Sequence, residues 1–387
     1  MRPLSIPAVF MRGGTSKGVF FDARDLPAEI SLRDRLLLRA MGSPDRYGTQ
    51  IDGLGGATSS TSKVVLVSPS ARPGHDVDYL FGQVAIDRPL IDWSGNCGNL
   101  SAAVGPFAIT AGMVAAPANN LATVRIWQVN LGQSIVAHVP MRSGEVVELG
   151  DFELDGVAFP GAEIRLDFLY PPDSADELFP TGQPMQTLEV PGVGAVAATC
   201  IQAGNPTVFV EAAALGLLGT ELQPQVNGDA ALLARAEAIR CLAAVAMGLA
   251  RDGDDVSATR PATPKLVTVA PPAGYTAADG RPVAAGQIHL LARAFSMGLL
   301  HHAVPGTCAI ALAAAAAVPG TLVQRLVQGR VEGRSGGPLS FGHPSGRVEV
   351  GADCEPRPGG GWAVTRVSLS RSARRLMVGQ VLVPPDA

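Results

Sequence analysis

At 387 residues the chain is long for one domain and comfortable for two. Hydrophobic residues make up 47% and charged residues 17%, while aromatics are scarce at 5% and glycine (45) and proline (31) abundant, a balance that excludes a helical bundle and favours short strands, turns and small-residue helices. A formal net charge of −4 supplies no basic field, which excludes non-specific nucleic-acid binding.

The opening MRPLSIPAVF has no apolar core behind a basic start, so no secretory signal is expected. MRGGTSKGVFF, from Met11, predicts a strand, a glycine turn and a second strand. Its loop lacks the GxxxxGK[ST] spacing of a phosphate-binding loop. Arg12, Gly14, Thr15 and Ser16 could still bind an anionic oxygen, and a plain hairpin turn accounts for the same residues. Ser31 to Met41 predicts a helix with Ser31 as its cap. The stretch IDGLGGATSSTSK, Ser62 included, is a glycine- and hydroxyl-rich loop able to close over a ligand, or a simple surface loop.

Lys63 then opens an apolar strand that stops at Pro69. A lysine between Ser/Thr and Val is not a typical solvated position. Partly buried, it loses its charge more readily and can serve as a base. A strand-end lysine reaching back to solvent is the plainer alternative. Cys97 sits in GNCGN directly ahead of a predicted alanine-rich helix. There its thiol faces the positive end of the helix dipole, which favours thiolate. The amides of Gly98, Asn99 and Leu100 would be unpaired and could hold a carboxylate. A buried structural thiol is the competing reading.

The segment 170–190 is rich in Pro, Asp, Ser and Gly and reads as the linker between domains. Gln202 to Val210 again predicts strand, turn, strand, and Gly228 to Met247 a helix. Thr263 to Pro271 repeats the first lysine strand, with Lys265 in the place of Lys63. Ser296 and Met297 precede His301-His302, which read either as a functional contact from the second domain or as a surface pair at a helix end. Gly306-Thr307 then opens a second alanine-rich helix, whose apolar run Ala309 to Val318 is too short to span a bilayer. A final strand from Arg375 to Val383 is expected to return to the first domain. Glycine turn, lysine strand and glycine-turn helix thus occur twice in one order, the mark of a duplication. The domains are placed at 1–184, with 375–387 returning to it, and 185–374. The five cysteines are scattered with no CxxC or Cys/His cluster, so no metal site is expected, and reduced thiols suit a cytoplasmic protein.

The whole chain resembles the PrpF family. The likeness is carried by MRGGTSKGVFF, QIDGLGGATSSTSKVVLVS, DYLFGQVAID, DWSGNCGNLSAAVGPFAI, TVRIWQVN, GDFELDGVAFPGAEI and RPATPKLVTVAPP, in both halves. It implies an α+β fold of two homologous diaminopimelate epimerase-like domains, each a curved sheet or barrel around a central helix, related by a pseudo-twofold with the active site between them. It also implies no metal and no organic cofactor. The family's activities are 2-methylaconitate isomerisation, in the methylcitrate route of propionate breakdown, and 4-oxalomesaconate tautomerisation. Its catalytic lysine matches Lys63 and its catalytic cysteine Cys97. DWSGNCGN and TSSTSKVV are nearer the methylaconitate branch. Where the wider fold's epimerases carry a second cysteine this chain has Pro305, so symmetric two-thiol racemisation is not expected.

The expected partner is therefore a small unsaturated tricarboxylate, with a homodimer as the expected assembly. Its carboxylates would dock at Gly98-Asn99 and Gly306-Thr307, helped by Lys265 and Arg12. Lys63 would take an allylic proton and Cys97 return one, and the reverse assignment stays open. 4-Oxalomesaconate, aconitate, and a non-catalytic role assisting a methylcitrate dehydratase are the alternatives.

Overall fold

The computed structural model describes residues 3–117, 119–170, 178–329, 338–357 and 360–384. The chain divides into two units, Met1–Leu166 with Ser370–Ala387, and Asp167–Leu369.

In the first unit a sheet curls around one helix. Strand Leu4–Gly13 pairs antiparallel with Ser16–Asp22 on one side and with Ala373–Val383 on the other. Ser16–Asp22 runs parallel to Lys63–Pro69, which pairs antiparallel with Val77–Val84. Val77–Val84 continues, parallel, to Leu121–Gln128, and that strand pairs antiparallel with Gln133–Arg142. The helix Ser101–Thr110 touches both ends of this series, Ala373–Val383 and Gln133–Arg142, as well as Leu4–Gly13 and Lys63–Pro69, so the sheet closes around it. Every residue of the helix but Thr110 is buried. A helix buried on all sides must be apolar all round and thin where strands approach. Gly105 provides this, since a Cβ there would lie 2.8 Å from Val139. Pro106 lacks the amide a helix interior needs, and Thr110 Oγ1 donates to the Pro106 carbonyl at 2.8 Å.

Strand alternation decides which side chains meet this helix. Val19, Phe21, Val64 and Leu66 face outward and pack with Leu36, Leu37 and Met41 of the helix Ile30–Met41. Phe20 points inward, its ring 5.6 Å from that of Phe107. Lys63 has the inward parity of Val65, which is level with Phe20. The Ile30–Met41 helix starts before its expected cap. Glu29 holds the cap position without a side-chain bond, and the Ser31 hydroxyl donates to the Glu29 carboxylate instead.

The second unit repeats the plan. Gly194–Ala203 pairs antiparallel with Asn205–Glu211, which runs parallel to Lys265–Ala270, itself antiparallel to Leu290–Ser296. The buried helix Gly306–Ala317 packs against Gly194–Ala203, Asn205–Glu211 and Gly346–Pro356. Helix Ala230–Ala246 covers the outer face, capped by Asp229, which accepts from the Leu232 amide at 2.9 Å.

Two sequence expectations need correcting here. The expected linker, 170–190, lies partly outside the described residues (171–177), and its end is the strand Gln186–Val190, paired with Gly194–Ala203. Leu188 and Val190 alternate inward in that strand, a two-residue period masked by the polar residues between them. The units divide at Leu166/Asp167 and Leu369/Ser370, whereas 184 and 375 were the expected boundaries. No described helix is long and apolar enough to cross a membrane.

Candidate active site

The GNCGN turn is the start of the central helix of the first unit. The Cys97 carbonyl accepts from the Ser101 amide at 2.9 Å, from Ser101 Oγ at 3.0 Å and from the Tyr79 hydroxyl at 3.4 Å. Its thiol accepts from the Leu100 amide at 3.5 Å. Cys97 therefore closes the turn that leads into the helix, its sulfur taking an amide three residues on as a serine oxygen would. This corrects the expectation that three amides are open: Leu100 gives its N–H to the thiol. Among the described residues the amides of Gly98 and Asn99 have no acceptor.

Glycines let this helix end sit against the hairpin. A Cβ at Gly13 would lie 2.6 Å from the Asn99 carbonyl, and one at Gly14 2.5 Å from Asn99 Oδ1. Gly14 also has φ +50, which disfavours any other residue. Asn99 Nδ2 donates to Thr15 Oγ1 at 3.0 Å and to Ser16 Oγ at 3.4 Å. Arg12 is committed to the turn as well, donating to the carbonyls of Gly14 (3.1 Å) and Ser372 (2.9 Å). The RGGTSKG loop is thus a tight hairpin, and the cradle for the Cys97 helix.

Lys63 enters the same region from its strand. Its side chain is buried and its Nζ donates to Gln83 Oε1 at 2.6 Å, directly across the antiparallel pair. The Gln83 amide is fixed by Nε2, which donates to the Ser62 carbonyl at 3.0 Å. The Phe81 ring lies 5.0 Å from the same Nζ. Burial pulls the Lys63 ammonium below its usual 10.5, and the charge of nearby Cys97 pulls it partly back. Gly18 makes room: a Cβ there would lie 2.8 Å from the Lys63 carbonyl and 3.0 Å from Leu100. Ser62 is wholly buried and its hydroxyl donates to Gln50 Oε1 at 2.6 Å, which ties the preceding loop down.

Sequence reasoning missed three residues. Gln83 holds the lysine, and Tyr79 braces the Cys97 carbonyl. Arg371 is buried and donates from Nε to Asn99 Oδ1 at 3.0 Å. Burial pulls its guanidinium down to about 10, and Cys97 pulls it back up.

Such an interior, a buried lysine and a helix-capping thiol within reach of each other's charge, is built for moving protons. Residues 3–384 match the family described as PrpF protein. The chain belongs to the PrpF family. It is 54% identical to a 2-methyl-aconitate isomerase of Cupriavidus necator, over 99% of this chain and 98% of that protein. The crystal structure of a methylitaconate-delta-isomerase superposes with a TM-score of 0.76 at 36% identity, covering 99% of this chain and 96% of that one. A probable proline racemase from Agrobacterium radiobacter K84 shares the fold alone, with a TM-score of 0.54 at 13% identity, over 98% of this chain and 94% of that one. This PrpF chain is an isomerase with the α+β, diaminopimelate epimerase-like fold.

The second PrpF unit carries the same skeleton with different chemistry. Lys265 is buried, and its Nζ donates to Ser296 Oγ at 2.7 Å. Leu266 faces Phe295, so Lys265 and Ser296 stand in the register that relates Lys63 to Gln83. The Ala309 amide bonds the Pro305 carbonyl as the Ser101 amide bonds that of Cys97. Pro305 therefore matches Cys97, Gly306 matches Gly98, and Thr307 matches Asn99. The polar pair survives with its partners exchanged: Asn205 Nδ2 donates to Thr307 Oγ1 at 3.1 Å. Cys308, the third residue of the helix, is wholly buried, which pushes its thiol up to about 12. Met297 lies in a two-residue hairpin loop with Gly298, at φ +55. His301 follows a strand and no helix, is buried, and bonds through Nδ1 to Ala303.

Proposed function

We propose that the chain interconverts isomers of 2-methylaconitate, with Lys63 as base and Cys97 as acid. The observation that carries this is the buried Lys63 with its proton affinity lowered, beside a thiol held by its own helix end. The 54% identity to a 2-methyl-aconitate isomerase favours that substrate. Its setting in this reading is the cytoplasm and the methylcitrate route of propionate breakdown.

Neutral Lys63 removes a proton from the allylic carbon. The C–H electron pair spreads over the allyl system and its carboxylate as a dienolate. The Cys97 thiol protonates the far carbon, so the double bond moves, or returns the proton after rotation. Either way the lysine ends protonated and the cysteine ionised, and proton return between them resets the pair. The open amides of Gly98 and Asn99, at the positive end of the central helix, stabilise the developing charge. Gln83 accepts a hydrogen bond from Nζ, which fixes where the lysine's lone pair points once neutral. Within the second unit, Lys265, Gly306 and Thr307, with Ser296 and Met297 beside the lysine strand, form a second place suited to an anionic oxygen.

Proton NMR of the purified protein with 2-methylaconitate isomers in deuterated water tests the reading. Interconversion with deuterium entering the substrate supports it. Activity on 4-oxalomesaconate instead keeps the chemistry and changes the substrate.

A further inference from the structure

Arg371 ends the strand Trp362–Arg371, at the point where the chain re-enters the first unit. It is 2% exposed, and its guanidinium is held in one plane by two bonds, Nε to Asn99 Oδ1 at 3.0 Å and Nη1 to the Ser370 carbonyl at 2.9 Å. Among the described residues Nη2 meets no acceptor, and no carboxylate pairs with the guanidinium. A buried cation without a counter-charge is costly, and guanidinium is the donor fork best shaped for a carboxylate. The anion that this site lacks must come from Cys97 or from a ligand.

The duplication narrows the choice. In the first unit the turn glycine Gly14 gives its amide to the Ser372 carbonyl at 2.9 Å, next to Arg371. In the second unit the turn glycine Gly204 gives its amide to the Tyr170 hydroxyl at 2.8 Å, and among the described residues no arginine bonds Thr307, the counterpart of Asn99. Among the described residues an arginine holds the helix-end amide beside the thiol, and none holds Thr307 where proline stands in the thiol's place. Asn99 links the two, its Oδ1 on Arg371 and its backbone in the first turn of the Cys97 helix.

We infer that Arg371 is a substrate-binding residue, whose open guanidinium edge takes one carboxylate of the tricarboxylate beside Cys97 while Asn99 holds the arginine in place. This rests on the reading of Lys63 and Cys97 as the acid–base pair. Arg371 then selects a third carboxylate, so dicarboxylates bind without it at little loss.

The test is calorimetric binding of propane-1,2,3-tricarboxylate, which cannot turn over, and of glutarate, to wild type, Arg371→Gln and Arg371→Lys. Thermal melts and the kcat and KM of the substrate reaction accompany it. The expected result is that Arg371→Gln weakens the tricarboxylate about 30-fold and glutarate about threefold or less, while raising KM more than it lowers kcat. Arg371→Lys recovers part of the loss, because charge returns without the fork. Should Arg371→Gln not fold, Arg371→Lys alone must still weaken the tricarboxylate more than glutarate. Tricarboxylate affinity within about twofold of wild type, or an equal fall for both ligands, overturns the inference and leaves Arg371 a structural or thiolate-charging role. Wild type that turns over 2-methylaconitate while the variants bind normally sinks this inference alone. Wild type that neither binds nor turns over a tricarboxylate sinks the proposed function with it.

Discussion

Lys63 and Gln83 stand directly opposite each other on the helix-facing side of an antiparallel pair, and among the described residues the lysine's one polar bond is to that amide oxygen at 2.6 Å. A neutral acceptor steadies the lysine without adding charge. Replacing it with a carboxylate reverses the electrostatics. In Gln83→Glu an anion sits against Nζ, so the Lys63 pKa rises toward or past its ordinary value. The acidic limb of the kcat/KM profile moves to higher pH by about one unit or more, and activity at neutral pH falls at least about tenfold. A pH–rate profile of the variant checks both.

Lys63 also costs stability. Its folded pKa is depressed by burial, so the unfolded chain binds the proton more tightly. The lysine's contribution therefore improves as pH rises from the folded pKa toward 10.5, and is worst below the folded value. Lys63→Met removes the ionisable group in a similar volume. Urea unfolding at neutral pH should show a gain of roughly 1–2 kcal/mol, with turnover abolished.

The cysteines should divide by reactivity. Burial pushes the thiols of Cys200, Cys308 and Cys354 up to about 12, which leaves them inert to alkylation near neutral pH. Iodoacetamide is expected to inactivate by modifying Cys97, with a tricarboxylate ligand protecting it. Peptide mapping of the labelled protein, with Cys97→Ser as the control, decides the matter.

Much of the site was legible in sequence because its chemistry is local. GNCGN before an alanine-rich run specifies a capped thiol, and a lysine opening a Val-rich strand specifies an inward amine. Gln83 was not legible, because only cross-strand register puts it opposite Lys63. Arg371 was hidden further, since its partner Asn99 lies 272 residues away and the chain must return from another unit to bring them together. Among the local features, Ser31 misled: it looks like a cap, but Glu29 occupies that position.

The hairpin glycines offer a packing test. Gly14→Ala forces a Cβ against Asn99 Oδ1 at 2.5 Å and strains a backbone at φ +50, so the helix end bearing Cys97 must shift. At Gly144, φ is +81 but nothing lies within 4 Å. Gly144→Ala should therefore cost only about 1 kcal/mol of stability with activity kept, whereas Gly14→Ala should cost about 2 kcal/mol or more and lower kcat/KM about 100-fold. Thermal melts and steady-state kinetics on the two proteins separate strain from displacement.

If Lys63 removes the proton and Cys97 returns one, the two half-reactions can be separated. Cys97→Ser, incubated with 2-methylaconitate in deuterated water, is to be followed by NMR for deuterium at the allylic carbon and for isomerisation. Deuterium is expected still to enter at the carbon facing Lys63 while isomerisation falls by about 100-fold or more, and Lys63→Ala is expected to show neither. Deuterium wash-in retained by Lys63→Ala and lost in Cys97→Ser would contradict this assignment and make the thiolate the base.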